Sequence, residues 1–161
     1  NPNPAAVIAA LNAQMAAPDL RSQGMFASVI YGLVERSGRV NFARAGHPAP
    51  FLSTQTGCRQ LQPQGTGPLL GVLDDAEWPV TTTRIPPGGT IYLFSDGLIE
   101  ARRGSDVFGV DRACEVLESE RQSALEIRLE RLVERARLHE DASLRDDVVV
   151  LAVQRGPAAP V

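Results

Sequence analysis

The spacing of apolar residues near the start of the chain predicts a helix. Asn3 precedes Pro4, which is the arrangement of a helix cap followed by a proline at the first helical position. Apolar side chains then recur at helical intervals until Pro18, where the helix is expected to have ended. The predicted buried face consists of Val7, Ile8, Leu11 and Met15.

Further along, the pattern changes to runs rich in β-branched and aromatic residues, separated by turn signals such as Ser37-Gly38 and Pro86-Pro87-Gly88-Gly89. These runs predict antiparallel strands. The predicted strands are 25–35, 39–45, an extended segment from Phe51, 59–62, 80–85 and 90–95. The segment 80–85 alternates weakly, as an edge strand does, whereas 90–95 is strongly apolar and is expected at the centre of its sheet.

Helical periodicity returns in the last third of the chain. One helix is predicted over 110–119 and a second over 123–139, with Ser123 as a candidate cap. The predicted buried face of the second helix is Leu125, Leu129, Leu132, Val133 and Ala136. The apolar run 148–153 predicts a final buried strand. Helices grouped apart from hairpins indicate the α+β class.

Composition narrows the functional classes. The chain has 161 residues and a net charge of −3, which argues against a general nucleic-acid binder. Its apolar runs are far shorter than the roughly 20 residues of a membrane helix, so no membrane span and a cytoplasmic location are expected. Cys58 and Cys114 lack metal-binding spacing and are interpreted as two buried or half-buried thiols, with a disulfide left open.

Acidic residues stand at the ends of two apolar strands. Asp96-Gly97 follows the run 90–95, and Asp146-Asp147 precedes the run 148–153. If those strands are neighbours, Asp96 and Asp146 could share a cluster of hard cations such as Mg²⁺ or Mn²⁺. Such ions support hydrolysis of phosphoryl groups. The alternative is an ordinary turn at Asp96-Gly97 and a solvated strand start at Asp146-Asp147.

The order of four motifs favours the first interpretation. The motifs are Ala45-Gly46-His47-Pro48-Ala49-Pro50, Gly67-Pro68-Leu69-Leu70-Gly71, the segment 93–102 around Ser95-Asp96-Gly97, and the segment 145–151 that begins Arg145-Asp146-Asp147. In this order they resemble the metal-dependent serine/threonine phosphatases of the protein phosphatase 2C-like superfamily. More narrowly, they resemble the bacterial branch typified by sporulation stage II protein E and the stress sigma-factor phosphatases.

The resemblance implies an α-β-β-α sandwich of two antiparallel sheets flanked by helices, with two Mn²⁺ or Mg²⁺ ions. It implies that Asp96 and Asp146 are metal ligands, that Gly97 lies beside the site, and that Asp147 orients Asp146 or a bound water. A phosphoserine or phosphothreonine would be hydrolysed directly by water. The implied substrate is a phosphorylated anti-anti-sigma factor in a partner-switching pathway. The resemblance also allows for sensory domains elsewhere in the full-length protein.

One expected feature is absent from the sequence. The family's first metal-binding motif, of the form D-x-x-G-x-G, does not occur in the chain. The phosphatase 2C-like domain is therefore predicted over 1–155, as the C-terminal portion of a larger domain whose N-terminal part is missing, with a tail over 156–161. The alternative is a non-catalytic pseudo-phosphatase that regulates or binds a partner. By itself, the chain is expected to bind metal weakly and to show little activity.

Three aromatic side chains lie outside the acidic motifs, and a structural role is favoured for each. His47 lies between Gly46 and Pro48 and is expected to be a turn residue more than a general acid. His139 ends the second predicted helix, where a structural role is favoured. For Trp78, packing in the core is favoured over an exposed partner anchor.

Overall fold

A computed structural model describes residues 2–61, 65–140 and 147–157. The described chain forms two compact units, the first made of Asn1–His47 and Gln62–Arg84 and the second of Pro48–Leu61 and Ile85–Val161. Each unit contains an antiparallel sheet with helices packed against it. The α+β class predicted from the sequence is confirmed.

The first unit begins with a capped helix. Helix α1 (Pro4–Met15) has Asn3 as its N-cap, whose side chain accepts a hydrogen bond from the Ala5 amide at 3.0 Å. A short helix α2 (Pro18–Ser22), which the pattern did not predict, follows. Three strands form the sheet in the order β1-β2-β5. They are β1 (Val29–Val34), β2 (Arg39–Ala45) and β5 (Thr81–Arg84). The edge position predicted for 80–85 is confirmed.

The buried face of α1 differs from the predicted one. Ile8 is fully buried, but Leu11 is 41% exposed and Asn12 is only 3% exposed. Asn12 is buried because its side-chain amide donates to the Leu73 carbonyl at 2.8 Å and accepts from the Gly71 amide at 2.8 Å. An apolar pattern does not reveal such a polar anchor, which holds the glycine-rich loop against the helix.

The second unit is built on a four-stranded sheet with the order β4-β3-β6-β9. Its strands are β3 (Phe51–Thr54), β4 (Gly57–Gln60), β6 (Thr90–Phe94) and β9 (Val150–Gln154). A small hairpin pairs β7 (Arg102–Arg103) with β8 (Asp106–Val107). As predicted, β6 is an interior strand. By contrast, β9 is an edge strand of the described sheet, and Leu151 is 58% exposed, so the expectation of a buried final strand was wrong.

Three helices accompany this sheet, namely α3 (Asp96–Ile99), α4 (Gly109–Ser119) and α5 (Leu125–His139). Their core side chains meet Phe51 and Phe94, which stack with ring centroids 4.4 Å apart. Ser123 is not the cap of α5. Ala124 occupies that position, and the Ser123 hydroxyl donates to Glu120 at 2.7 Å. Within the described residues, no helix is both long and apolar enough to cross a membrane.

Candidate metal-binding edge

Asp96 follows the interior strand β6 after one residue, Ser95, and begins α3. Its side chain is exposed, and Oδ1 accepts a hydrogen bond from the Gly97 amide at 3.0 Å. The second carboxylate oxygen, Oδ2, makes no hydrogen bond within the described part of the chain. Asp96 therefore presents an available hard oxygen donor at the edge of the sheet.

Gly97 is buried beside this carboxylate. It lies inside α3 with helical backbone and does not adopt a positive φ. Its position next to Asp96 is fixed by the chain, and its amide holds one oxygen of that carboxylate.

Ser95 joins the end of β6 to the segment before β9. Its hydroxyl donates to the Asp147 carbonyl at 2.8 Å and accepts from the Val149 amide at 2.9 Å. The Ser95 amide also donates to the Val149 carbonyl at 3.0 Å. These three bonds extend the pairing of Phe94 with Val150 and bring the Asp147 backbone next to the residue that precedes Asp96.

The two acidic motifs therefore meet at one edge, as the neighbouring strands β6 and β9 require. Asp147 is exposed there. Asp146 lies outside the described residues, so its distance from Asp96 stays a prediction. Among the residues that are described, no three His, Cys, Asp or Glu side chains converge on a common point. The described part of the donor set, an available carboxylate oxygen of Asp96, fits a hard divalent cation.

Trp78 and His139, which the sequence also singled out, pack in the fold away from the acidic motifs. Trp78 is 4% exposed, and its indole nitrogen donates to the Pro68 carbonyl at 2.9 Å, which confirms the core prediction. His139 contacts the Asp106 carbonyl at 3.1 Å and packs against the Phe108 ring at 5.8 Å between centroids. These contacts support the structural role expected for His139.

The turn that carries His47 is shaped by its glycine neighbour. Gly46 has a φ of +63°, and a Cβ atom there would lie 2.2 Å from the Leu69 side chain. The His47 carbonyl accepts a hydrogen bond from the Arg44 guanidinium. The two sequence motifs around Gly46 and Leu69 thus pack against each other within the first unit, and Gly46 allows their close approach.

The sequence pattern did not indicate that Ser95 bridges the segments of the two acidic motifs. The residue was part of the Ser95-Asp96-Gly97 motif, but its pairing with Asp147 and Val149 depends on which strand lies beside β6. A strand-end hydroxyl directly before an acidic residue is the signal that could have suggested this role.

Comparison with known proteins decides the family. The family model described as stage II sporulation protein E matches residues 1–156. The chain belongs to the stage II sporulation protein E family. This result confirms the family expected from the four motifs.

One curated relative matches most of the chain in sequence. Protein IcfG of Synechocystis is 28% identical over 134 residues, which is 81% of this chain and 21% of that protein. The chain thus spans about a fifth of the length of that curated relative.

Among solved structures, the SiaA-PP2C domain of Pseudomonas aeruginosa matches with a TM-score of 0.76 and 21% identity, covering 95% of this chain and 60% of that one. The RsbU and RsbW domains of Rv1364c from Mycobacterium tuberculosis match with a TM-score of 0.68 and 27% identity, covering 93% and 43%. The catalytic domain of the serine threonine protein phosphatase PstP, in complex with two manganese ions, matches with a TM-score of 0.58 and 20% identity, covering 90% and 65%. Together they show the phosphatase 2C fold for this stage II sporulation protein E family member.

Proposed function

We propose that this chain forms most of a metal-dependent protein serine/threonine phosphatase domain in which Asp96 and Asp146 bind Mn²⁺ or Mg²⁺. The observation that carries the proposal is the Ser95 bridge, which places the segment of Asp147 beside Asp96 at one edge of the sheet. The exposed Asp96 carboxylate with its available oxygen supports the proposal, as does the family membership.

Each acidic residue has a distinct proposed role at this edge. Asp96 would ligate the ion through Oδ2 while the Gly97 amide fixes the orientation of its carboxylate through Oδ1. Asp146 would supply a second carboxylate, and Asp147 would orient Asp146 or a water. A bound divalent ion supplies Lewis acidity toward the phosphoryl oxygens and makes hydroxide available near neutral pH.

The experiment that tests this function is manganese-dependent hydrolysis of a phosphoserine protein by the chain and by a longer protein that contains it. We expect Asp96→Asn and Asp146→Asn, alone or together, to remove the metal-dependent activity. Asp147→Asn is expected to cost about 10- to 100-fold, the usual effect of changing a group that orients a metal ligand. Asp75→Asn, in an exposed loop, is the matched control. Activity that survives the double substitution would refute the proposal.

The proposed substrate is a phosphorylated anti-anti-sigma factor in a partner-switching pathway of the bacterial stress response. Its support is the resemblance of the motifs to the stress sigma-factor phosphatases. We further propose that residues 1–155 are part of one phosphatase 2C-like domain and that 156–161 form a tail. Comparing turnover of a phosphorylated anti-anti-sigma factor with that of an unrelated phosphoserine protein tests the substrate class. Equal turnover of the two would count against it.

A second candidate function is a non-catalytic module of the same fold that binds a partner. The observation that favours it is the absence of a D-x-x-G-x-G motif from the sequence, which leaves the metal edge with fewer carboxylates than the resemblance implies. Calorimetric titration of the chain with Mn²⁺ separates the two functions. Tight binding of two ions would contradict the non-catalytic alternative, whereas no binding by either the chain or the longer protein would support it.

A further inference from the structure

A row of polar side chains crosses the sheet of the second unit on the side that faces the helices. Ser53, Thr90 and Gln154 are direct cross-strand partners on β3, β6 and β9. Because side chains alternate along a strand, Ser53 and Thr90 share the face of the core residues Phe51 and Tyr92. Ser53 is 4% exposed and Thr90 is 1% exposed, so two hydroxyls of this row are buried in an otherwise apolar layer.

Arg128 of α5 is buried above this row and is only 5% exposed. Its Nη1 donates to the Tyr92 hydroxyl at 3.0 Å and to Thr90 Oγ1 at 3.4 Å, while its Nε is buried without a partner. No carboxylate pairs with it in the described part of the chain. Burial raises the pKa of Tyr92, so the phenol stays neutral and supplies no counter-charge. A buried cation without an anion is costly.

The same arginine lines a cavity of about 320 Å³. Among the described residues, the cavity wall consists of two arginines, two hydroxyl residues, three glutamines and one glycine, with no carboxylate. The second cation is Arg121, whose guanidinium donates to the Gln55 carbonyl at the cavity wall. Ser53 also lines the cavity, and its hydroxyl makes no hydrogen bond within the described residues. Two positive charges therefore lie at the cavity, together with hydrogen-bond donors of Arg128 and Ser53 that have no partner within the described residues.

We propose that this cavity binds the phosphate group of a small molecule, held by Arg128, Arg121 and Ser53. A phosphate monoester carries a charge of about −1.5 to −2 near pH 7, which two guanidinium groups can balance. A single carboxylate carries only one negative charge and matches the two guanidinium groups less well. A volume of about 320 Å³ is at the small end of ligand pockets, which suits a small phosphorylated molecule and not a folded partner.

This site differs from the acidic edge. Thr90 begins β6 and Asp96 follows its end, so about six residues of extended chain, on the order of 20 Å, separate the two positions along the strand. The phosphate-binding cavity therefore neither includes nor requires the proposed metal ligands. Its occupancy can be measured in the absence of divalent ions, which keeps this test independent of phosphatase activity.

The experiment is calorimetric titration of the chain in a chelating buffer with inorganic phosphate, with glycerol phosphate as the monoester probe, and with acetate as the monoanion control. We expect saturable binding of phosphate or its ester and at least tenfold weaker binding of acetate. Arg128→Met, which keeps an unbranched side chain but removes the guanidinium group and its charge, should weaken phosphate binding at least tenfold. Arg131→Gln changes an exposed arginine of the same helix and should leave binding within twofold.

Two further variants protect the test against a folding defect in Arg128→Met. Arg121→Gln alters an exposed side chain and Ser53→Ala removes one hydroxyl, and each should weaken binding while the circular dichroism spectrum is retained. Asp96→Asn should bind phosphate as the wild type does. Absence of saturable binding, equal binding by the wild type and the three cavity variants, or loss of binding in Asp96→Asn would each overturn the proposal. A preference for the ester over inorganic phosphate would identify the organic molecule as the source.

Discussion

Replacing Ser95 by alanine isolates the bridge between the two acidic motifs. The hydroxyl makes two hydrogen bonds, at 2.8 Å to the Asp147 carbonyl and at 2.9 Å from the Val149 amide. A neutral hydrogen bond contributes about 1 kcal/mol net, so Ser95→Ala should cost about 2 kcal/mol. For a chain of this size, that loss corresponds to a decrease in Tm of about 4–8 °C. The backbone bonds of Ser95 remain and should preserve the strand pairing.

The assay combines urea unfolding, followed by circular dichroism, with Mn²⁺ titration of the same samples. Ser95→Ala should lower the unfolding free energy and also weaken Mn²⁺ binding, because the segment before β9 is held less firmly beside Asp96. Ser95→Thr keeps a hydroxyl and should recover most of both losses. Ser105→Ala, in an exposed turn where the serine hydroxyl makes no hydrogen bond within the described residues, is the control. Unchanged stability in Ser95→Ala, or an equal loss in Ser105→Ala, would refute the reasoning.

Three further predictions concern packing and thiol chemistry. Gly46→Ala should destabilise the chain by more than Gly104→Ala in thermal unfolding, because both glycines have positive φ but only the Cβ at position 46 would collide with a neighbour; equal losses would contradict this. Leu132→Ala, at a position with 0% exposure, should cost about 2–5 kcal/mol in urea unfolding, and a loss below 1 kcal/mol would show that the core is loosely packed. A hydrogen bond from Cys58 lowers the pKa of Cys114, so Cys114 should be alkylated by iodoacetamide at lower pH than an ordinary thiol. Cys58→Ala should shift that profile to higher pH, and an unshifted profile would exclude the hydrogen bond as its cause.

The cysteine pair shows how far sequence reasoning extends. Two half-buried thiols were expected, and both are free and partly buried. Their Sγ atoms nevertheless lie 2.7 Å apart, on β4 and α4, although 56 positions separate them in the chain. Nothing in their spacing indicates this contact, because it arises only when α4 packs on the sheet.

Local signals predicted the elements that local forces determine. The Asn3 cap, the interior strand over Thr90–Phe94 and the edge strand over Thr81–Arg84 all follow from short stretches of sequence. The α+β class followed from the order of these elements. The acidic edge was expected only on the condition that the strands beside its two motifs are neighbours; β6 and β9 do pair, and a shared metal site of Asp96 and Asp146 stays a prediction.

Buried polar residues were missed because their partners are distant in the sequence. Arg128 falls on the face of α5 that also carries Leu132 and Ala136, but arginine is usually exposed and was not assigned to that face. Its burial depends on hydroxyls from β6 that no helical pattern reveals. Asn12 on α1 is a second case, since its partners belong to a loop about sixty residues away.

The pairing of β6 with β9 has a consequence for how the acidic edge is maintained. Residues 95–149, which include α3, α4 and α5, separate the two strands in the chain. The edge therefore forms only when this long segment folds back and brings β9 to β6. A ligand that contacts both acidic motifs binds only the paired state, so by mass action it stabilises the pairing of β9 with β6. Since β9 has a strand neighbour on one side only in the described sheet, amide hydrogen exchange along β9 would report occupancy of the edge. In this fold, ligand binding at the acidic edge and the pairing of β9 with β6 are therefore coupled equilibria.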